Sequence, residues 1–400
     1  MMWRKFVAFL FGLMVIATTA SFSNVLASDT GEGTEVTVIL VSDNEADCTL
    51  AEYLANITGA VVVVTPWGVY DPNVAASIMS YGSDKVIIIG GPDAVVEMYE
   101  EDLAELNIRV DRWWGKNRYG TNLATIGNAT AKLRIKFENH VIVVPGNDTV
   151  AIEAALREAV KVHGVIIFAN NTTDVARVMM KIGVQPKNMT IIRTPLTRQI
   201  AERVGERVRN RVEGNVTEVE ANITREMAEE AIIVSNERIL TADELLANVS
   251  TLEKTRLPVA EKMLGLAMSE LEWAKVAYAK GNYGEAYGRA MAAKAHAEFV
   301  IKVASEKWRE IVKKEPAMMA KVFLHRVEAQ LKVMENAGID VSEVRALVDQ
   351  LRTAIENREE DVIPQLMNKI RQKLLEAYAR GKGKFKERVV FPAHGRAGEP

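Results

Sequence analysis

The 400-residue sequence holds a single cysteine, Cys48. That excludes a disulfide framework and any site built on several thiolates, so stability has to come from packing. Charge of one sign is also missing. The 50 Lys and Arg face 53 Asp and Glu, a net charge of -3, so no global field points to nucleic acid as a partner. The five histidines (His140, His163, His296, His325 and His394) never fall at metal-ligand spacing. GxSxG, the P-loop lysine motif, HExxH and CxxC do not occur. Asp43, Glu45 and Asp47 hint at a calcium loop, but Cys48 stands where such a loop needs glycine and Leu54 where it needs glutamate. No acid, base and nucleophile converge in the pattern, so neither catalysis nor a cofactor or metal is expected. No apolar run beyond the N-terminus is long enough for a membrane span.

What is present begins with Arg4 and Lys5 before the apolar run Phe6–Ala17. The run is short for a span, and Val25-Leu26-Ala27 offers small residues at cleavage spacing. This predicts a signal peptide over 1–27, an uncleaved anchor being the alternative. Cys48 follows no lipobox. In either case the bulk of the chain is exported, to a secreted or cell-surface location. Nine Asn-x-Ser/Thr triplets agree with export: Asn56, Asn128, Asn147, Asn170, Asn171, Asn188, Asn215, Asn222 and Asn248. All are candidate glycosylation sites, and all precede the last third of the chain. Heavy Glu, Lys, Val and Ile usage with little Cys and Gln is a thermophile's composition, and an archaeal source is expected.

To about Thr197 the chain alternates short β-branched runs with segments of helical spacing. The runs are Val36–Val41, Ala60–Val64, Lys85–Ile89, His140–Val144, Val165–Phe168 and Met189–Ile192. Continuous apolar runs suit parallel strands covered on both faces, so the N-terminal half reads as doubly wound α/β built from tandem βαβ repeats. The order from Val36 to Gly91 recurs from Val141 to Thr194, an overlay that sets Asp47 near Asp148. Repeat boundaries fall at 28–130 and 131–197.

The first unit carries Asp47-Cys48, then Val61–Thr65, then Ile87-Ile-Ile-Gly90-Gly91-Pro92-Asp93-Ala94-Val95. It closes with Arg112-Trp-Trp-Gly115-Lys-Asn-Arg118-Tyr119-Gly-Thr121-Asn-Leu-Ala124. This pattern resembles the type-2 cell-wall-binding repeat of bacterial surface-layer and cell-wall proteins and some archaeal surface proteins. The second unit is degenerate: Arg193-Thr194-Pro195 replaces the Gly-Gly loop and no Arg-Tyr signature follows. The resemblance implies a module that holds surface proteins to anionic wall polymers and acts in threes. Two repeats would then need chains to associate into a homo-oligomer.

The candidate ligand-binding residues are Asp47, Gly90, Gly91, Asp93, Arg112, Trp114, Arg118 and Tyr119. Gly90-Gly91-Pro92 after a strand could present amides to an anion, or simply form a turn with Asp93 capping the next helix. Arg112, Arg118 and Tyr119 could grip phosphate or carboxylate, or form an internal salt bridge with a packed ring. Trp113 and Trp114 should face opposite ways in an extended segment, leaving one to stack on a sugar. Asp47 lies beyond the first strand, where α/β folds place ligands, or else caps a helix.

From Ile200 the pattern is all-α. Val204, Val208, Val212, Val216, Val219, Ile223 and Met227 continue one stripe, predicting a helical connector over 198–255. Thr241-x-x-Glu244 reads as a capping box. A helical bundle is expected over 256–380, starting with a hairpin that turns at Lys280-Gly281-Asn282, its second helix lined by Ala286, Ala290, Ala293 and Ala297. Three helices follow near 317–337, 341–359 and 361–379. Lys382, Lys384, Lys386, Arg388 and Arg396 make 381–400 a basic tail, expected to be disordered. The functional expectation is a non-enzymatic envelope-associated glycoprotein that binds wall or surface-layer polymer or protein. A secreted scaffold whose repeats bind nothing, and an unrecognised envelope hydrolase, are the alternatives.

Overall fold

Five of the six residues of strand β1 (Thr37–Ser42) are buried, and a strand apolar on both sides persists only where both faces are covered. It pairs in parallel with β2 (Val61–Thr65) and β3 (Lys85–Ile89), and β3 with β4 (Arg109–Trp113), giving the order β2-β1-β3-β4. The crossovers are helices α1 (Glu45–Thr58), α2 (Pro72–Ser80) and α3 (Met98–Glu105). Helix α4 (Arg118–Lys132) leads to a second sheet of β5 (His140–Pro145), β6 (Val165–Ala169), β7 (Asn188–Arg193) and β8 (Asn215–Glu220), ordered β6-β5-β7-β8. Helices α5 (Thr149–Val162), α6 (Val175–Ile182) and α7 (Arg198–Arg209) connect these strands. The computed structural model describes residues 37–209, 214–253 and 256–390. The expected signal peptide and the last ten residues of the tail lie outside the described residues.

The duplication is confirmed, with corrections. The second repeat ends at Glu220 rather than Thr197. Val216 and Val219, read as part of a helical stripe, lie in β8, which pairs in parallel with β7 from Asn188↔Asn215 to Arg193↔Glu220. Spacing of three to four residues between two valines does not distinguish a helix from a strand; pairing to the open edge of β7 does. Strand β4 was likewise hidden in the Arg-Trp-Trp segment. Nor does Asp47 correspond to Asp148. Asp148 caps α5, whereas Asn44 caps α1 and Asp47 is the third residue of that helix.

The helical half consists of α8 (Arg225–Glu253), α9 (Pro258–Ala279), α10 (Tyr283–Lys314), α11 (Pro316–Asn336), α12 (Ser342–Glu356) and α13 (Ile363–Val390). The α9–α10 hairpin turns as expected through Gly281 (φ 79°), and its four interface alanines are fully buried. Thr241 caps nothing. Helix α8 runs through it, held by the buried stripe Ile239, Ala242, Leu246 and Val249, and its hydroxyl donates back to Glu237 O. The basic tail is ordered as far as Val390. Phe385 is buried, and Lys382 and Lys386 both pair with Asp84 at 2.6 Å.

Three layers of core fix the arrangement. One face of the first sheet (Val38, Leu40, Val86, Ile88) packs against Phe323, Val327 and Leu331 of α11 and against Val348, Ile370 and Tyr378 of α12 and α13. The other face (Ile39, Val41, Ile87, Ile89) shares a core with α1, α5 and the second sheet's Ile142, Val144, Ile166 and Phe168. The second sheet's far face packs on α6 and α7. Helices α11 to α13 therefore cover the first sheet, while α8 to α10 pack mainly on one another. A chain ending at residue 315 is expected to be insoluble or to bind a hydrophobic dye strongly, since it would bare Leu40, Val86 and Ile88. A soluble, cooperatively melting product would show instead that 316–390 is dispensable.

Candidate functional site

Open parallel sheets bind ligands beyond the C-terminal strand ends where strand order reverses. In the first sheet that point lies between β1 and β3. Gly90 ends β3 there with φ 124°, a region closed to most side chains, and a Cβ on it would lie 3.3 Å from Asp47 Oδ2. Asp47, Gly90 and Gly91 do therefore converge. The expected helix start at Asp93 does not: residues 92–97 form turns and α3 begins only at Met98. The Asp93 carboxylate instead pairs with Lys302 of α10 at 2.6 Å.

The two tryptophans alternate as expected. Trp113 is 1% exposed and Trp114 48%, and the Trp114 ring lies against Gly91. The rest of the signature is bound inside the protein. Arg112 donates to Gly90 O and Val95 O, both at 2.9 Å, and to Glu100 at 2.8 Å. Arg118, the first residue of α4, donates to Gly146 O at 2.8 Å in the loop after β5. Tyr119 packs on Gly146, where a Cβ would sit 2.7 Å from the ring. Asn122, fully buried, donates to Ile166 O (2.9 Å) and accepts from Phe168 N (3.0 Å). Strand β6 is the edge of the second sheet, and its unpaired backbone groups would otherwise be orphaned. Arg118, Tyr119 and Asn122 thus join repeat one to repeat two. Of the residues expected to grip polymer, Arg112 is bound within repeat one, and Arg118 and Tyr119 sit in this joint. In the second repeat, Thr194 and Thr197 stand where the first has its Gly-Gly turn, and their hydroxyls donate to Asp148.

Helices α8 and α10 lie across the C-terminal edge of the first sheet and are clasped to it by charge. Arg238 of α8 donates to Asp43 at 2.7 Å. Lys294 of α10, 3% exposed, pairs with Glu45, and Ser305 donates to Gly68 O at 3.0 Å. Glu298 lies 3.7 Å from Arg238 and 3.8 Å from Lys294. Two of the three carboxylates that hinted at a calcium loop, Asp43 and Glu45, therefore face Arg and Lys. Burial alone would raise the Glu45 carboxyl, but Lys294 overrides it and holds it below its ordinary value. Asp47 has no such partner. It is 7% exposed, Oδ1 accepts no hydrogen bond among the described residues, and burial pushes its pKa up to about 7 against the pull of Arg118. Burial raises Glu298 too. Sequence reading missed Arg238, Lys294, Glu298 and Asn122. The one available signal was a Lys294/Glu298 pair set beside the small-residue face of α10. Of the nine sequon asparagines, Asn128 and Asn170 are partly buried and the other seven exposed.

The fold and site define a tandem pair of parallel α/β repeats closed by the chain's own helices. No family model matches the chain. It is 27% identical over 266 residues to "Uncharacterized protein MJ0755" of the archaeon Methanocaldococcus jannaschii, covering 66% of this chain and 75% of that one. Among solved structures it is similar to Cwp6 from Clostridium difficile, with 18% identity and a TM-score of 0.39 over 46% of this chain. The match takes in 29% of that protein, so the chain spans less than a third of its length. Among the described residues no helix is long and apolar enough to cross a membrane.

Removing Asn122 leaves a buried N–H and C=O of β6 unpaired, so Asn122→Ala should cost about 2–3 kcal/mol in denaturant unfolding; a change below 0.5 kcal/mol would mean the joint does not depend on it. Asp47 titrates in the opposite sense to a salt-bridged carboxylate. Its folded pKa of about 7 lies above the unfolded value, so its contribution is present below about pH 4 and lost as pH rises through 7. Asp47→Asn should therefore gain on the wild type by about 2–4 kcal/mol between pH 4 and pH 8. Parallel stability-pH curves would show that Asp47 is ionised throughout.

Proposed function

We propose that this chain is an exported, non-enzymatic envelope component in which the two repeats act as a scaffold rather than as a polymer-binding site. The observation that carries the reading is the joint: Arg118, Tyr119 and Asn122 are bound to repeat two, while α8 and α10 occupy the edge where a ligand would enter. Envelope association rests on the likeness of Lys85–Ala124 to wall-binding repeats and on the leader-like N-terminus. The scaffold holds out α8 and α9, whose exposed Ile233 and Leu240, and Val259, Leu266 and Trp273, recur every seven residues, the pitch of a helix-helix seam. That face is the contact surface for an envelope protein. What supports a non-catalytic reading is that Asp43 and Glu45 are paired with Arg238 and Lys294 and that Asp47 is buried beneath them.

One observation favours the polymer-binding alternative. Trp114 is half exposed beside the Gly90-Gly91 turn, a flat ring on which a sugar could stack. Cell fractionation separates the two. The protein is expected to sediment with envelopes after a high-salt wash, and Trp114→Ala to be retained equally. Release of that variant with unchanged melting would transfer the function to the Trp114 face. Recovery of the wild type from the cytosol would overturn export itself.

A further inference from the structure

We infer that Asn147, Asn171 and Asn222 are the residues that carry glycans, and that these sugars cover the C-terminal edge of the second sheet. The inference rests on the export proposed above. Its argument comes from where the parallel strands end. Strand β5 ends at Pro145, β6 at Ala169 and β8 at Glu220, so the loops holding these three residues emerge from one edge. All three side chains are exposed and sit in turns or irregular backbone.

The other six triplets lie in helices, in paired strands or at a partly buried asparagine, and are less open to a transferase acting on the folded chain. It must reach the asparagine amide and the hydroxyl two residues on together. Asn56, Asn128 and Asn248 lie within helices α1, α4 and α8. There, residues two apart point roughly 200° from each other. Asn188 and Asn215 open β7 and β8 and face each other in the ladder, and Thr190 of the first triplet is 5% exposed. Asn170 brings its amide to its own Thr172 hydroxyl, at 2.9 Å, but it is partly buried. Asn171, next to it, turns its amide to solvent. Its Thr173 is half-buried and bonds Asn170 within the same turn.

The linkage forms between asparagine Nδ2 and the anomeric carbon of a sugar. That carbon's bond to a phosphate oxygen of a lipid-linked oligosaccharide breaks, the electron pair leaves with the lipid phosphate, and the amide proton is released to it or to solvent. No redox partner is needed. The consequence is that neither sheet offers an open C-terminal edge: helices α8 and α10 close the first, and sugar covers the second.

Glycopeptide mapping by mass spectrometry of the full chain, isolated from the organism that makes it, tests this. Site-resolved fragmentation should place added sugar mass on Asn147, Asn171 and Asn222 and on none of the other six asparagines. Unmodified peptides at the three sites, on protein recovered outside the membrane, would overturn the inference and leave export standing. Equal occupancy at Asn56, Asn128 and Asn248 would overturn the selection by folded loops. A sugar-free protein recovered from the cytosol, with its leader intact, would remove both readings together.

Discussion

A parallel β-sheet has to be covered on both faces, and nearly everything else in this protein follows from that constraint. The first sheet presents Val38, Leu40, Val86 and Ile88 on one side and Ile39, Val41, Ile87 and Ile89 on the other, all of them fully buried. Its own crossovers α1 to α3 are short and cannot cover both sides. The second repeat closes one face through a core shared by α1 and α5, and helices 316–390 close the other. Two halves that differ in style along the chain are thereby compelled to fold as one body.

Charge settles how the covering elements are registered. Arg238, Lys294 and Arg326 are each 7% exposed or less and pair with Asp43, Glu45 and Asp102 on the first repeat. Buried pairs of this kind gain little net stability over apolar packing, but removing one partner is costly, so a misplaced helix would strand a charge. Apolar faces tolerate sliding; these pairs do not. Asp47 is the exception within the cluster, a carboxyl without a cation at contact distance, and its raised pKa expresses that position.

The joint between the repeats gives the signature a physical reading. Where a further sheet follows, Arg118, Tyr119 and Asn122 close its edge strand and first loop. After the second sheet come helices, and the segment that follows β8 leads into α8 with no further edge strand to close. Degeneracy of the second unit is then a consequence of position in the chain. The motif was legible in one dimension. Its partners, Gly146, Ile166 and Phe168, lie 28 to 46 residues away, and no local pattern names them.

Sequence alone determined the elements whose signal is local: six of the eight strands, because continuous β-branched runs have few other uses, and the α9–α10 hairpin, because Gly281 and the alanine face specify its turn and its seam. It also set the alternation of Trp113 and Trp114, which follows from the period of a strand. Only the tertiary structure decided the rest. Strand β8 exists because β7 had an open edge, the tail orders because Asp84 and the Phe385 pocket await it, and Arg112 and Arg118 are internal because carbonyls lie within reach. Each of these depends on free energy gained between residues far apart in the chain, which composition and spacing do not encode.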